Sequence, residues 1–292
     1  MCHQEVGSLN SISREKFESQ GFFLFKQLLD KELISRLTGF SEEVLSQQDL
    51  EHFEQQKATG SMVLIDWEMA YRYRVIAELI AHPKILNAFL ELGFTEPKFG
   101  HGRIISKPRH SPPLFWHEDG RFWNDPVSYT PQPIQSFLMI YLTDTTPENG
   151  CLRVIPGSHL KRHYLHDQVP ERHQEELRTY ATPEAIGFQT ADGEIDVPVK
   201  AGDVVMGYAS TFHAAHANQS DASRTVLTMW YYPDFVNLPE RSQATVALLE
   251  KKAGTVKERN EQVRALLNPL RIVYNGDAEP IPTEWTPGSN LK

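Results

Sequence analysis

The chain has 292 residues, 40% of them hydrophobic, and carries a formal net charge of −9 at pH 7. It is long enough for one large core, and its acidic balance without a basic block argues against nucleic acid or a membrane as partner. The two cysteines, Cys2 and Cys151, exclude a disulfide framework. No stretch approaches about 18 consecutive apolar residues, and the N terminus lacks a signal-peptide pattern. We therefore expect a cytoplasmic protein, either a monomer or a homodimer.

Residues 1–95 are predicted to be mainly helical, with one short strand at the FFLF stretch, residues 22–25. After a plausible N-cap at Asp30, four apolar side chains recur at helical spacing. They are Leu33, Leu37, Phe40 and Val44. A second helix is predicted to begin at Pro83, because proline is favoured at the first helical position, and to stop at Gly93.

From residue 97 the sequence changes to short β-prone runs separated by Gly, Pro, Asn and Asp. The runs are RIIS, SFLMIYLTD, CLRVIPGSH, DVVMGY and RTVLTMWYY. This pattern is typical of an antiparallel sandwich or barrel. We predict a single domain over 1–292, mainly β with flanking helices. Its core covers 97–235 with an insertion near 160–195, and a C-terminal helix and tail follow over 239–292.

The stretch FWHEDGRFW sets His117 and Asp119 two residues apart between aromatic residues. In a strand, residues i and i+2 lie on one face, so both side chains can point into the same barrel mouth. A third candidate ligand, His213, follows downstream, and His216 competes with it but would point elsewhere along a strand end. Two imidazoles and one carboxylate leave three adjacent positions open on an octahedral ion, as non-haem Fe(II) oxygenases require. A structural zinc site would instead close four positions, usually with thiolates.

Three segments, in this order, resemble the signature segments of the phytanoyl-CoA dioxygenase family of iron(II)/2-oxoglutarate oxygenases, which includes ectoine hydroxylases. They are WHEDGRFW, ENGCLRVIPGSH and AGDVVMGYASTFHAAHANQSDASR. The resemblance runs from about Glu18 to Tyr232 and implies a double-stranded β-helix, or jelly-roll, core. It also implies Fe(II) held by His117, Asp119 and His213, with 2-oxoglutarate and O₂ as cosubstrates.

The resemblance further implies that Arg224, eleven residues after His213, binds the distal carboxylate of 2-oxoglutarate. An arginine suits this role because its planar fork matches a carboxylate bidentately and stays charged when partly buried. Three other residues are candidates for the cosubstrate pocket. They are Lys107, Trp123 and Tyr141. Relatives commonly carry a serine two residues after the distal histidine, but this chain has Ala215, so part of the usual hydrogen bonding must come from elsewhere.

The expected substrate is a small molecule, amino-acid-like or a secondary-metabolite scaffold, and the candidate wall residues are Arg103, Arg121 and Trp230. No basic cluster stands out to hold the phosphates of an acyl-CoA. The carboxylate of Asp119 favours hydroxylation with release of succinate and CO₂, because related halogenases carry a small residue there. Desaturation, epoxidation and cyclisation stay open, as does a catalytically silent jelly roll that serves as a binding or scaffold protein. A zinc hydrolase on the same triad would have no need of Arg224.

Overall fold

The computed structural model describes residues 12–49, 61–169, 175–251 and 260–292. Its centre consists of two antiparallel sheets that face each other. The ten strands are β1 Phe22–Phe25, β2 Ser61–Ile65, β3 Lys98–Lys107, β4 Leu114–His117, β5 Ser136–Tyr141, β6 Leu152–Val154, β7 Ile195–Val197, β8 Val204–Tyr208, β9 His213–Ala215 and β10 Arg224–Tyr232. The large sheet has the order β1-β8-β5-β10-β3-β2 and the small sheet the order β4-β9-β6-β7. The predicted mainly β jelly-roll core with flanking helices is confirmed.

Residues on alternate positions of the large sheet divide between two cores, as a pleated strand requires. The inner face of the large sheet packs against the small sheet, and Val226 and Trp230 of β10 join Leu152 and Val154 of β6 there. The outer face packs against the helices, and Leu227 of β10 belongs to that larger cluster. The space between the sheets is therefore the place where side chains from both can meet.

The helices cover the outer face of the large sheet and the flanks of the sandwich. They comprise 12–20, Lys31–Ser46, Trp67–Arg72, Arg74–Ile80, Pro83–Glu91, Leu165–Gln168, Glu175–Arg178, Glu240–Leu249 and Glu261–Leu267. The side chain of Asp30 accepts a hydrogen bond from the Leu33 N–H at 2.9 Å, which caps the first long helix as predicted. Pro83 begins its helix, and Gly93 follows the end of it with φ +88°, a left-handed conformation that favours glycine.

Two strands from the N-terminal part complete the large sheet. The predicted strand at 22–25 pairs with β8, whereas β2 at Ser61–Ile65, which the sequence pattern did not indicate, pairs with β3 at the opposite edge. Because a five-residue edge strand is stabilised by its partner, its short sequence gives little local signal.

The insertion near 160–195 packs on the small sheet. Leu165 and Val169 join Trp116 in one apolar cluster, and the Trp116 indole N–H donates to the Gln189 carbonyl at 2.9 Å. The C-terminal region contains two described helices, and residues 252–259 between them lie outside the described part, as does Cys2. Over the ranges that the structure describes, no helix combines the length and the apolarity needed to cross a bilayer.

Candidate active site

His117, Asp119 and His213 meet between the two sheets. His117 ends β4 and pairs in register with His213, which begins β9, so the chain fold brings two distant histidines side by side. The Nε2 atoms of His117 and His213 each lie 3.7 Å from an oxygen of Asp119. This separation is too long for a hydrogen bond, and it is within about 1 Å of the spacing that two adjacent ligands take around an octahedral ion at about 2.0–2.2 Å from each.

Backbone carbonyls orient both imidazoles. The Nδ1 of His117 lies 2.9 Å from the Phe115 carbonyl, and the Nδ1 of His213 lies 3.0 Å from the Thr211 carbonyl. A carbonyl can only accept, so each Nδ1 carries the proton and each Nε2 carries the lone pair that a metal ion needs. Both rings are buried and present Nε2 toward Asp119.

Asp119 is held from two directions. Its backbone N–H donates to the Ala209 carbonyl at 2.8 Å, which fixes the turn after β4. The Trp230 indole N–H donates to Asp119 Oδ2 at 2.9 Å across the gap between the sheets. The sequence indicated Trp230 only as a substrate-wall residue, so this bond to a candidate metal ligand is a finding of the tertiary structure.

The donor set of the triad suits Fe(II). The three ligand atoms lie within 4.8 Å of one another, and they are two imidazole nitrogens and one carboxylate oxygen. An octahedral ion bound by these three retains three open positions. His216, the competing histidine, contacts Asp196 at 2.6 Å instead of Asp119.

Arg224 begins β10 on the inner face of the large sheet, the face that carries Val226 and Trp230. Its side chain is buried, and its guanidinium lies 5.9 Å from the centre of the Tyr141 ring. Among the residues that the structure describes, none accepts a hydrogen bond from its Nε atom. A buried cation that lacks a partner is costly, and the burial lowers the pKa of Arg224. A carboxylate ligand would satisfy both the charge and the open donor.

Lys107 lies directly beside Arg224, because the two residues are register partners on β3 and β10. Its ammonium donates to the Pro112 carbonyl. Burial, with the positive charge of Arg224 adding to it, lowers the pKa of Lys107 to about 7. Gly150, at φ +89°, leaves room for this side chain, since a Cβ there would lie 2.9 Å from the Lys107 Cδ.

Tyr141 belongs to the inner face, a choice that strand alternation alone left open. Burial raises the pKa of its phenol to about 12, so the hydroxyl stays protonated at neutral pH and can donate. The structure therefore brings Arg224, Lys107 and Tyr141 together. Ala215 lies on β9 opposite Leu152 and supplies no hydroxyl.

Asn218 is a buried residue that the sequence reasoning missed. Its amide donates to the carbonyls of Lys107, Pro108 and Ala222 at 2.8–3.1 Å. These bonds join the end of β3 to the loop that leads into Arg224 and so fix the relative position of the two cations. The only signal in the sequence was its place in the HAAHANQSDASR segment.

Trp123 and Arg121 have contacts away from this pocket. The Trp123 indole N–H donates to Glu118 at 3.4 Å, and its ring packs on Tyr129 and His166. The Glu118 carboxylate lies beside His166, with its Oε1 atom 3.5 Å from His166 Nε2. The Arg121 guanidinium lies 6.0 Å from the Trp285 ring in the C-terminal tail.

Arg103 and His101 continue the inner face of β3 next to Trp230. The register pairs Arg103 with Thr228 and His101 with Trp230, and the His101 ring stacks on the Trp230 indole at 4.9 Å. Burial lowers the pKa of Arg103, while the negative charge of Asp119 raises it. Arg103 is thus a partly buried cation within electrostatic range of the metal triad.

A jelly-roll core that carries two histidines and one carboxylate on an open face, with a buried cation on the facing sheet, is the arrangement of Fe(II)/2-oxoglutarate-dependent oxygenases. The family model described as "Phytanoyl-CoA dioxygenase (PhyH)" matches residues 17–226. The chain belongs to the phytanoyl-CoA dioxygenase family. The resemblance inferred from the sequence and the cofactors Fe(II) and 2-oxoglutarate are thereby confirmed.

Curated relatives include two kinds of family member. Phytanoyl-CoA dioxygenase 1 of Oryza sativa subsp. japonica is 32% identical over 129 residues, which cover 43% of this chain and 41% of the rice protein. The chain thus matches less than half of the length of that relative. Ectoine dioxygenase of Bordetella bronchiseptica is 24% identical over 233 residues, which cover 77% of this chain and 75% of the bacterial protein.

Solved structures with the same fold span several activities. The α-ketoglutarate-dependent epimerase SnoN from nogalamycin biosynthesis aligns with a TM-score of 0.59 at 19% identity, covering 95% of this chain and 98% of SnoN. EctD from S. alaskensis with 2-oxoglutarate and 5-hydroxyectoine aligns with a TM-score of 0.56 at 19% identity, covering 78% of this chain and 77% of EctD. At this identity the likeness shows the fold alone.

Proposed function

We propose that the chain is an Fe(II)- and 2-oxoglutarate-dependent dioxygenase that hydroxylates a small molecule and releases succinate and CO₂. The observation that carries the proposal is the complete ligand set on one face, with Arg224 buried nearby and its Nε unpartnered. A scaffold protein would have no need to keep a buried guanidinium unsatisfied at this place.

In this proposal the iron would be held by the Nε2 atoms of His117 and His213 and by a carboxylate oxygen of Asp119. Bound iron supplies the oxidising chemistry, with 2-oxoglutarate and O₂ as co-reactants. The protein contributes orientation: the carbonyls of Phe115 and Thr211 fix the imidazoles, and the indole of Trp230 fixes the carboxylate.

Arg224 would bind the distal carboxylate of 2-oxoglutarate, and a carboxylate there would satisfy the open Nε–H. Lys107 adds a second positive charge beside it, and the Tyr141 hydroxyl adds a donor. Lys107 and Tyr141 thereby replace the hydrogen bond to the cosubstrate that a serine at the position of Ala215 would make. Burial strengthens each bond, because water neither screens the charges nor competes for the donors.

In the proposal, Arg103 and Trp230 line the substrate-binding side of the space between the two sheets. Arg103 is a partly buried cation near Asp119, which suits a substrate with a carboxylate or another anionic group. An amino-acid-like molecule or an acidic secondary-metabolite scaffold has this chemistry. Trp123 and Arg121 are not part of the wall that we propose, since their contacts are with Glu118, Tyr129, His166 and the tail.

Asp119 supports hydroxylation as the outcome, because a carboxylate occupies the position that a halide would need. Structural neighbours described as a carbocyclase and an epimerase indicate that the fold also serves other outcomes. The mass of the product separates them: hydroxylation adds one oxygen, desaturation and cyclisation remove two hydrogens, and epimerisation leaves the mass unchanged.

Two measurements test the proposal. Anaerobic addition of Fe(II) and 2-oxoglutarate should give the weak visible charge-transfer band of a keto acid chelated to ferrous iron, whatever the substrate is. Screening pools of anionic small molecules for succinate release together with a gain of one oxygen should then identify the substrate. The absence of the band at saturating iron and keto acid would favour the catalytically silent scaffold.

A further inference from the structure

A second group of metal-ligating side chains lies on the small sheet. Cys151 precedes β6, Asp196 lies on β7, and His216 follows β9, and β6 pairs with both of the other strands. The backbone N–H of His216 donates to the Cys151 carbonyl at 3.0 Å, so the pairing of β6 with β9 continues to these two residues. The ligand atoms of the three residues lie within 4.8 Å of one another.

This group is separate from the iron triad. Cys151 alternates along the chain with Leu152, whose side chain packs into the inner core between the sheets. His216 lies three residues beyond His213, and its Nε2 contacts Asp196 at 2.6 Å. No residue is shared between the two groups.

The three side chains are chemically suited to a soft or borderline divalent cation. A thiolate selects Co²⁺, Zn²⁺ and similar ions, and imidazole and carboxylate complete common zinc-type ligand sets. Burial raises the pKa of the Cys151 thiol to about 12, although the nearby Arg224 guanidinium lowers it, so the thiol is protonated in the metal-free protein. A metal ion therefore has to displace this proton, which passes to solvent, as at other thiolate sites.

Half-exposed His216 and exposed Asp196 give an ion access to the buried sulfur. The 2.6 Å hydrogen bond between His216 Nε2 and Asp196 Oδ1 holds both side chains near Cys151. A metal ion bound by all three residues would replace the proton of this hydrogen bond, which would pass to solvent together with the thiol proton. We propose that Cys151, Asp196 and His216 form a second metal site that binds Co²⁺ or Zn²⁺, with water at the remaining position.

Thiolate ligation gives a specific optical signal. A Co²⁺ ion bound to sulfur shows an intense near-ultraviolet charge-transfer band, which the nitrogen and oxygen ligands of the iron triad cannot produce. The experiment titrates Co²⁺ anaerobically into the full chain carrying Cys2→Ser, so that Cys151 is the remaining thiol. Because the iron triad can also take up Co²⁺ without giving this band, we expect the band to saturate by the second Co²⁺ per chain and to be reversed by Zn²⁺.

Three variants in that background identify the ligands. Cys151→Ser should abolish the band, and His216→Ala and Asp196→Asn should each weaken Co²⁺ binding at least about tenfold. His110→Ala is the matched control, because His110 also pairs with an aspartate, at 3.1 Å, but belongs to neither of the metal-ligand groups found among the described residues. This variant should bind Co²⁺ unchanged, and circular dichroism should show that all of the variants fold.

Absence of the band at saturating Co²⁺ in the folded Cys2→Ser chain would overturn the proposal. The proposal would also be overturned if His216→Ala and Asp196→Asn bound Co²⁺, as measured by the band, with the same affinity as the Cys2→Ser parent. The thiol would then bind the ion alone.

Discussion

Arg224→Lys is the most discriminating change, because it keeps the positive charge and removes the planar fork. The side chain is 6% exposed, so water cannot replace a bond that is lost. Replacing a bidentate charge-assisted pair with one ammonium should cost about 1–3 kcal/mol. At about 1.4 kcal/mol per tenfold, the KM for 2-oxoglutarate should rise roughly 5- to 150-fold. Steady-state kinetics with 2-oxoglutarate varied would measure this rise.

Two controls accompany this variant. Keto acids that lack the distal carboxylate never contact Arg224, so the variant should use them about as well as the wild type does. Arg153→Lys is a matched variant, because Arg153 is also buried and is bonded through Nε and Nη2 to both carboxylate oxygens of Glu194. It should lower the free energy of unfolding and leave the KM for 2-oxoglutarate unchanged.

An equal rise in KM for both types of keto acid would contradict this role of Arg224. A fall in iron affinity with no change in the dependence on 2-oxoglutarate would contradict it as well. Either result would mean that Arg224 supports the fold and does not bind the cosubstrate.

Three further predictions concern the same site. Asp119→Ala and Asp119→Gly should abolish turnover, because they remove the single anionic ligand; near wild-type succinate release would exclude Asp119 as a ligand. Trp230→Phe should weaken Fe(II) binding about 10- to 100-fold by removing the bond to Asp119 Oδ2, and an anaerobic iron titration measures it. The KM for 2-oxoglutarate should rise with pH above about 7, because Lys107, whose pKa is lowered to about 7, is charged below that pH and neutral above it. The cosubstrate carboxylates stay ionised over this pH range, so Lys107→Met should make the KM for 2-oxoglutarate nearly independent of pH. The same pH dependence in this variant as in the wild type would show that Lys107 does not bind the cosubstrate.

Local sequence was sufficient for the parts of the fold that depend on neighbouring residues. The spacing of Leu33, Leu37, Phe40 and Val44 after Asp30 determined a helix, and Pro83 and Gly93 marked the ends of another. The two-residue spacing of His117 and Asp119 indicated that both side chains could lie on one side of the chain, but β4 ends at His117 and the Ala209 carbonyl fixes the turn that carries Asp119. Each of these patterns has a period that is fixed by backbone geometry and needs no distant partner.

Local sequence patterns did not predict the contacts between strands that are distant in the chain. The sequence left the direction of Tyr141 open and gave no sign of β2. It also did not predict the contacts of Trp123 with Tyr129 or of Arg121 with Trp285. A strand's alternation defines two faces but does not say which is buried, because that depends on the sheet packed against it.

Residue types and their order thus determined the class of fold and the set of candidate ligands. Only the tertiary structure decided which groups meet: His213 beside His117, Trp230 on Asp119, Lys107 beside Arg224, and Cys151 near Asp196 and His216. The physical reason is the register of the strands. One residue of slip would turn every side chain of a strand to the opposite face, and the register is set jointly by all the partners that a strand pairs with and packs against.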